Sequence, residues 1–446
     1  MAMSGLDIFK LLPKTNCKDC GKPTCLAFAM GIAAKKAALS ECPHVSDEAK
    51  EALEGASAPP IRLVAIGTGD TKLEVGQETV MFRHDEKFHH PTGVAIRVSA
   101  SLDEAALNEK IKTVDNLRFE RVGQKIQVDL IALDGNGVAA DQFAKAAKAA
   151  ADDSTLHLIL MSDSSDAMKA ALEVVADRKP LIYAANAENY EAMAALAKEK
   201  GCPLAVVGKD LEDLAELTPK VKAAGVEDLV IDSGARSSKA VIQDLTKMRR
   251  AALKKTFRPL GYAPITFATG DPAEQTVQAA GYVSKYAGIV VMDCTEPWQV
   301  LPVLTARMNI FTDPQKPIQV ESKLYAIGEP DENSPLMFTT NFSLTYFTVE
   351  GDVEASRVPA WILSVDTEGT SVLTAYSGDK LNEQVVKKAM DAAKVEEVVK
   401  HRKLIIPGYV SVMSGKLEEA TGWEIVVGPK ESSFIPKFLQ TVWKAG

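Results

Sequence analysis

Residues 156–207 read LHLILMSDSSDAMKAALEVVADRKPLIYAANAENYEAMAALAKEKGCPLAVV. Three short apolar runs, Leu156–Met161, Pro180–Ala184 and Pro203–Val207, alternate with two helix-length segments, Ser165–Ala176 and Glu188–Lys200. Runs of that length, apolar without alternation, suit strands buried on both faces, and helices between them make the sheet parallel. The same unit repeats outward in both directions. Strands are expected at Gly93–Val98, Gln127–Ala132, Asp228–Asp232, Pro264–Ala268 and Gly288–Met292, and helices at Asp103–Val114, Ala139–Ala151, Asp210–Ala224, Ser238–Leu253, Pro272–Ala287 and Pro297–Asn309. Eight strand–helix units over about 230 residues favour a TIM barrel over an open sheet.

The carboxyl ends of barrel strands are where chemistry usually sits. Here they carry Asp134-Gly135-Asn136-Gly137, Ser162-Asp163, Asn186, Asp232-Ser233-Gly234, Thr269-Gly270-Asp271 and Asp293-Cys294-Thr295-Glu296. Helix caps draw on the same small and acidic residues, so capping is the plainer reading. Upstream, Arg62–Ile66 and Thr79–Phe82 read as a strand pair that closes one end of the barrel. His84, His89 and His90 crowd one region with Asp85 and Glu86 and could hold a metal, but a solvated loop is the plainer reading.

The 446-residue chain has room for two or three domains. Its net charge of −9 and its lack of long basic runs argue against nucleic acid. No apolar run approaches the roughly 20 residues needed to span a bilayer. The stretch from Met1 to Lys14 lacks the pattern of a secretory leader, so a cytoplasmic, non-membrane protein is expected. In that compartment Cys202 and Cys294, each in an apolar context, read as small buried hydrophobes.

The other four cysteines stand together before the barrel: Cys17, Cys20, Cys25 and Cys42, spaced C-x2-C-x4-C-x16-C. A tight cluster in a reducing compartment points to metal rather than disulfides. Three close cysteines and one distant one suit a [4Fe-4S] cube, and the second C-x2-C knuckle of a zinc ribbon is missing, although zinc and an inert cluster stay open. Gly21 and Pro23 turn the loop, Leu26 to Ile32 supply apolar shielding, and Ser46–Leu53 reads as a short helix. A module this small leans on its metal for stability. Gly55-Ala56-Ser57-Ala58-Pro59-Pro60 reads as a linker. The domains expected are therefore 1–57 for the cluster, 58–318 for the barrel and 319–446 for a third, α/β, part.

In that third part Tyr325–Thr348 reads as an irregular passage. Strands are expected at Ala360–Asp366, Lys403–Pro407 and Glu424–Val427, and helices at Leu381–Lys400, Met413–Thr421 and Phe434–Lys444. Each strand ends in a glycine-bearing turn: Thr367-Glu368-Gly369-Thr370-Ser371, Pro407-Gly408-Tyr409, and Gly428-Pro429-Lys430 before Ser433. In an open α/β sheet ligands bind at that edge, where glycine lets backbone amides approach them.

The run Leu11-Leu12-Pro13-Lys14-Thr15-Asn16-Cys17-Lys18-Asp19-Cys20-Gly21-Lys22-Pro23-Thr24-Cys25-Leu26-Ala27-Phe28-Ala29 resembles the cluster domain of the corrinoid/iron-sulfur protein large subunit, and the layout resembles that family throughout. The resemblance implies a [4Fe-4S] domain, a TIM barrel and a C-terminal Rossmann-like corrinoid domain, in that order. It implies a methyl carrier of the reductive acetyl-CoA (Wood-Ljungdahl) pathway. Such a carrier takes methyl from methyltetrahydrofolate through a separate methyltransferase and gives it to the nickel centre of acetyl-CoA synthase/CO dehydrogenase. Its partners would be a small barrel subunit in a heterodimer and an electron donor such as ferredoxin. The cluster would return occasionally oxidised cobalt(II) to nucleophilic cobalt(I). No catalytic residue is needed for such transfer, and no triad or carboxylate pair stands out.

Many corrinoid domains carry Asp-x-His-x-x-Gly, whose histidine ligates cobalt from below. This sequence lacks it, and only His401 falls in the last domain, so a cobalamin-type corrinoid held base-off is expected. Contacts are expected from Gly369, Thr370, Ser371, Val372, Leu373, Thr374 and Ser433, with Thr340 and Tyr346 from the aromatic passage. Caps and core packing are the competing reading of each. The competing functions are an iron-sulfur oxidoreductase and an electron-transfer subunit whose last domain binds a nucleotide.

Overall fold

A computed structural model describes residues 5–33, 37, 39–46, 49 and 59–444. The expected helix Ser46–Leu53, the linker from Gly55 and the boundary at 57/58 fall largely outside the described residues. The chain forms two compact units, residues 1–118 with 127–311, and residues 119–126 with 312–446.

In the first unit, strands β1 (Val64–Ile66) and β2 (Leu73–Val75) form an antiparallel hairpin. Strand β3 (Gly93–Ser99) opens the barrel; next in the chain is a second hairpin, β4 (Arg118–Arg121) with β5 (Gln124–Gln127), which belongs almost wholly to the second unit. Then come β6 (Leu130–Asp134), β7 (His157–Met161), β8 (Leu181–Ala185), β9 (Leu204–Val207), β10 (Leu229–Asp232), β11 (Ala263–Phe267) and β12 (Ile289–Met292). These seven and β3 close in chain order into a parallel barrel, β12 pairing back onto β3.

Alternation fills the barrel with one set of side chains, including Ala95, Leu130, Ile159, Leu181, Val230, Ile265 and Val291, while Ile96, Ile131 and Leu160 point outward and are equally buried. That two-sided burial is why the strands read as unbroken apolar runs. Val64, Ile66 and Val75 of the hairpin join the interior cluster, and an added Cβ on Gly93 would sit 2.7 Å from Leu73, so the hairpin plugs the end where the strands begin. Here the expected pairing needs correcting. The partner of Val64–Ile66 is Leu73–Val75, not Thr79–Phe82. Leu73 and Val75 supply the inward side chains, whereas Val80 gives its carbonyl to the buried Arg249 (3.0 and 2.6 Å), leaving no ladder for residues 79–82 to join.

The second unit contains β13 (Leu324–Ile327), β14 (Leu336–Thr340), β15 (Ala360–Val365), β16 (Lys403–Ile406) and β17 (Glu424–Val427). The spatial order is β13-β15-β14-β16-β17, all parallel except β13. Helices cover both faces: Phe338, Leu363 and Ile406 point to one apolar cluster, Met337, Ile362 and Ile405 to the other. This is a doubly wound sheet with one reversal, because the chain runs from β14 outward to β15 and then returns to the far side of β14 for β16. Two expectations fail here. The passage 325–348 is not irregular but holds β13, β14 and the start of the helix Ser343–Ser356. The helix expected over Leu381–Lys400 is broken at Lys394, whose φ of 50° ends one segment, Glu383–Ala392, before Val395–Val398.

Candidate functional site

The reversal in strand order leaves a crevice between the carboxyl ends of β14 and β16, because no connection crosses there. These strands pair at one position, Met337 with Ile405, and β14 continues to Thr340 with no further pairing to β16. A cavity of about 350 Å³ occupies that divergence. Its floor is Met337–Thr339 and Ile405–Pro407, and Leu344, Thr345 and Thr348 of the first helix line one wall. Ser371, Val372 and Leu373 come from the loop after β15, with Tyr409 after β16 and Pro429 to Ser432 after β17.

Two loops are held by backbone proximity. An added Cβ on Gly408 would meet the Gly428 carbonyl at 2.6 Å, so a larger residue would force apart the loops after β16 and β17. Gly369 has φ 72°, and its amide donates to Asn341 Oδ1 (3.0 Å). Asn341 is the buried keystone of this edge. Its Oδ1 also accepts from Thr367 N (3.0 Å) and Oγ1 (3.2 Å), and its amide nitrogen donates to Gln319 and Asp366 (3.0 Å each). The loop that presents Ser371, Val372 and Leu373 is thus tied to the end of β14.

Of the residues the sequence nominated, Ser371, Val372 and Leu373 line the cavity. Gly369 and Thr370 lie behind them in the same loop, Thr370 bonded to Thr367. Thr374 is exposed one turn on, its hydroxyl paired with that of Ser371 (3.0 Å). Ser433 is exposed beside Ser432, which lines the cavity. Thr340 is buried with no partner for its hydroxyl. Tyr346 is buried outside the lining, its ring 4.6 Å from Tyr325 and its hydroxyl donating to Glu350 (3.0 Å), and burial raises the pKa of both groups of that pair.

Sequence reading missed Thr339, Thr345, Thr348 and Tyr409. The hydroxyl of Thr339 is buried at the cavity wall with no partner, as is that of Ser364 on the neighbouring strand. Such groups cost free energy unless a ligand or water completes them. A large, mostly apolar ring with polar side arms fits this lining.

His401 lies at the other end of the sheet. It precedes β16, its Nε2 is 2.9 Å from the Ser334 carbonyl and its Nδ1 accepts from Lys403 N (3.0 Å). Burial holds the imidazole below its usual pKa, and Trp443 packs edge-on against it (5.0 Å). Both ring nitrogens are engaged, and the ring precedes the start of β16 whereas the cavity is lined by its last residues, Ile405 and Ile406.

In the N-terminal module Cys25 and Cys42 are buried with Ile8, Leu12, Phe28 and Val45, Cys20 is half-buried against them, and Cys17 is exposed. Positive φ at Lys14, Asn16, Lys18 and Gly21 coils the loop. Asn16 N donates to Cys25 Sγ (3.4 Å) while Asn16 Oδ1 accepts from Cys25 N (2.8 Å), which ties the loop to the first residue of the helix Cys25–Ala33. Four thiols around an apolar seat form a donor set for a soft metal cluster. One feature was not legible from the spacing: His44 bonds Asp19 (2.6 Å), and both have a ligand atom within 4.8 Å of Cys17 Sγ. Hydrogen bonding from His44, then from Cys17, holds the Asp19 carboxyl below its ordinary range.

At the barrel ends the acidic residues are paired or capping. Asp271 caps its helix in a capping box with Glu274, and Asp210 caps another. Arg97 clamps Asp293 (2.7 and 2.9 Å), and the buried Asp232 accepts from Tyr183 (2.8 Å) and Arg236 (2.9 Å). Burial, then the charge of Asp232, drives the Tyr183 phenol well above its usual pKa. His89 bonds Glu86 (2.9 Å) and His84 lies 3.4 Å from Asp85, but among the described residues the three histidines are not gathered on one ligand point.

Comparison with known proteins adds the following. A family model described as CO dehydrogenase/acetyl-CoA synthase delta subunit matches residues 63–439, and one described as a putative Fe-S cluster matches residues 12–44. The chain is 50% identical over 443 residues to the corrinoid/iron-sulfur protein large subunit of Moorella thermoacetica, covering 99% of each chain. It is 36% identical over 453 residues to the acetyl-CoA decarbonylase/synthase complex subunit gamma of Methanopyrus kandleri, covering 98% of this chain and 97% of that one. Among solved structures, a 7,8-dihydropteroate synthase from Vibrio fischeri aligns with 50% of this chain and 95% of its own at 15% identity and TM-score 0.37.

Proposed function

This chain belongs to the corrinoid/iron-sulfur protein large-subunit family, and from that premise we propose that it is a methyl carrier whose corrinoid is seated in the cavity at the β14/β16 crevice. A corrinoid bound there supplies the cobalt that takes up a methyl group and gives it away. The residues of the chain bind and orient. Ser371, Val372 and Leu373 would hold the ring, the Asn341 network holds their loop, and the Thr339 hydroxyl would be free to bond a polar side arm. The observation that carries the reading is the cavity itself: it lies at the switch point, with an unpartnered buried hydroxyl in its wall and the domain's histidine at the opposite end of the sheet.

On this reading Cys17, Cys20, Cys25 and Cys42 hold a [4Fe-4S] cluster that feeds electrons for reactivation of oxidised cobalt. Methyl donor and acceptor are separate proteins, a methyltetrahydrofolate methyltransferase and acetyl-CoA synthase. Leu344, Leu373 and Tyr409 are 55%, 47% and 43% exposed at the cavity, apolar area that a small partner subunit would cover. Among the described residues no helix is long and apolar enough to cross a membrane.

The test is anaerobic co-purification with the small subunit, followed by absorption spectroscopy and metal analysis. Cobalt stoichiometric with the chain and corrinoid bands above the broad cluster absorbance are expected. A flavin or nicotinamide spectrum without cobalt would replace this reading with that of an oxidoreductase. Val372→Trp, which fills the cavity, should lower cobalt without lowering iron.

A further inference from the structure

We infer that the lysine-rich edge formed by Lys14, Lys18 and Lys22 is the electron-entry face of the cluster module, built to receive an acidic, low-potential one-electron carrier protein. This rests on the reading of the four cysteines as cluster ligands. Cys25 and Cys42 are buried in the apolar seat, so a cluster held there is accessible from the side of Cys17 and Cys20. Both lie in the run of residues 14–22, where every residue is exposed or half-buried. Gly21 N donates to Lys18 O (2.8 Å), folding Lys18 and Lys22 back around Cys20, while Lys14 stands before Cys17 over the Phe9 ring (5.8 Å).

Charge makes this edge distinct. The chain as a whole carries −9, yet this run holds three lysines against one carboxylate. That carboxylate, Asp19, is already engaged by His44 at 2.6 Å. Among the described residues Lys14, Lys18 and Lys22 enter no ion pair, whereas Lys10 nearby is neutralised by Asp7 (2.9 Å). Unpaired positive charge on an acidic protein steers negatively charged partners and is screened by salt. The occupant is therefore acidic, and Cys17, at the tip of the exposed run, offers the shortest exit from the cluster to the surface. The step is one electron: the carrier is oxidised by one equivalent as the cluster is reduced by one, and no proton or bond changes hands.

The experiment uses the full chain with its small subunit and cluster intact. Reduction of the cluster is followed by stopped flow with two reductants, an acidic dicluster bacterial ferredoxin and photoreduced deazaflavin, a small uncharged donor. The affinity for oxidised ferredoxin is measured by titration calorimetry. In the wild type the ferredoxin rate should fall about ten-fold between low salt and 0.5 M salt, the order expected when steering is screened. The combined variant Lys14→Glu, Lys18→Glu, Lys22→Glu should lose about ten-fold in ferredoxin rate at low salt and lose affinity in parallel. Its iron content and deazaflavin rate should match wild type. The corresponding Lys→Arg variant should behave as wild type. An unchanged ferredoxin rate in the Glu variant, or an equal fall with both reductants, overturns the docking face. Absence of a reducible cluster in the wild type overturns instead the ligand reading beneath it.

Discussion

Asn341→Ala should loosen the loop that carries Ser371, Val372 and Leu373 far more than its size suggests. The side chain is 2% exposed and its Oδ1 is the acceptor for the Thr367 and Gly369 amides, both on buried residues. Alanine removes that acceptor without supplying another, and each buried N–H left unpaired costs roughly 1–3 kcal/mol, so about 2–5 kcal/mol is expected. Gln319→Ala is the comparator. Gln319 is exposed and receives one bond from Asn341 (3.0 Å), so its loss should cost about 0.5–1.5 kcal/mol. Hydrogen exchange read by mass spectrometry on peptides spanning 366–374, alongside urea unfolding, measures both variants. Exchange in Asn341→Ala should quicken in that loop while peptides from β3 to β12 are unchanged. Cobalt occupancy should drop with it. If the 366–374 amides exchange as in wild type, or the loss is under about 1 kcal/mol, Asn341 is not the keystone and the loop is held by something else.

Three further outcomes are expected. Cys42→Ala should lose iron although Cys42 lies far along the chain from the other three cysteines, and full iron retention would remove it from the ligand set. In metal-free protein at pH 8, Cys17 should be alkylated readily and Cys202 should not: burial pushes the Cys202 thiol up to about 11, so roughly one molecule in a thousand is the reactive thiolate. Raising the pH to 10 should speed Cys202 by about a hundred-fold, because thiolate grows ten-fold per unit below the pKa. Electron paramagnetic resonance of the cobalt(II) form should show no nitrogen triplet on its high-field lines, and His401→Gln should leave that spectrum as it is; a triplet lost in the variant would put the imidazole on the metal.

The barrel was legible because its strands are buried on both faces and several of its helices begin at a visible cap, as at Asp103, Ser164 and Asp271. Strand β14 was not. It ends in Thr339-Thr340, with Asn341 just after it, polar residues that read as loop; yet all three are buried, Thr339 in the cavity lining and Asn341 among the loop groups it hydrogen-bonds. The helix Ser343–Ser356 was hidden for a related reason. It buries Tyr346 and Val353 in the core while Leu344, Thr345 and Thr348 line the cavity, so no single apolar stripe marks it. Among the site residues, Ser371 to Leu373 could be found from a glycine turn following a strand. The turns that carry Tyr409 and Lys430 were legible in the same way, but not that these two residues line one cavity, since that depends on how closely Gly408 and Gly428 let two distant loops approach. The hairpin β4–β5 falls largely in the second unit, where an added Cβ on Gly123 would clash with Phe347 at 2.0 Å, and sequence order gives no sign of that attachment.

His401 shows how a gap in a motif becomes a statement about position. From the sequence, the missing Asp-x-His-x-x-Gly left one histidine in the domain without a place. In the fold it lies before the first residue of β16, while the cavity is lined from Ile405, in the second half of that strand, onward. Its ring also serves the sheet: Nδ1 takes the Lys403 amide that opens β16, and Trp443 packs against its face. Moving the imidazole toward the cavity would break those contacts. The lining offers hydroxyls, carbonyls and apolar surface, with the Glu431 carboxylate tied to the Tyr409 hydroxyl at 2.6 Å. The corrinoid proposed for this site would call for this kind of wall, one with no histidine among its lining residues, since an axial ligand is the lever by which a protein shifts a metal's potential.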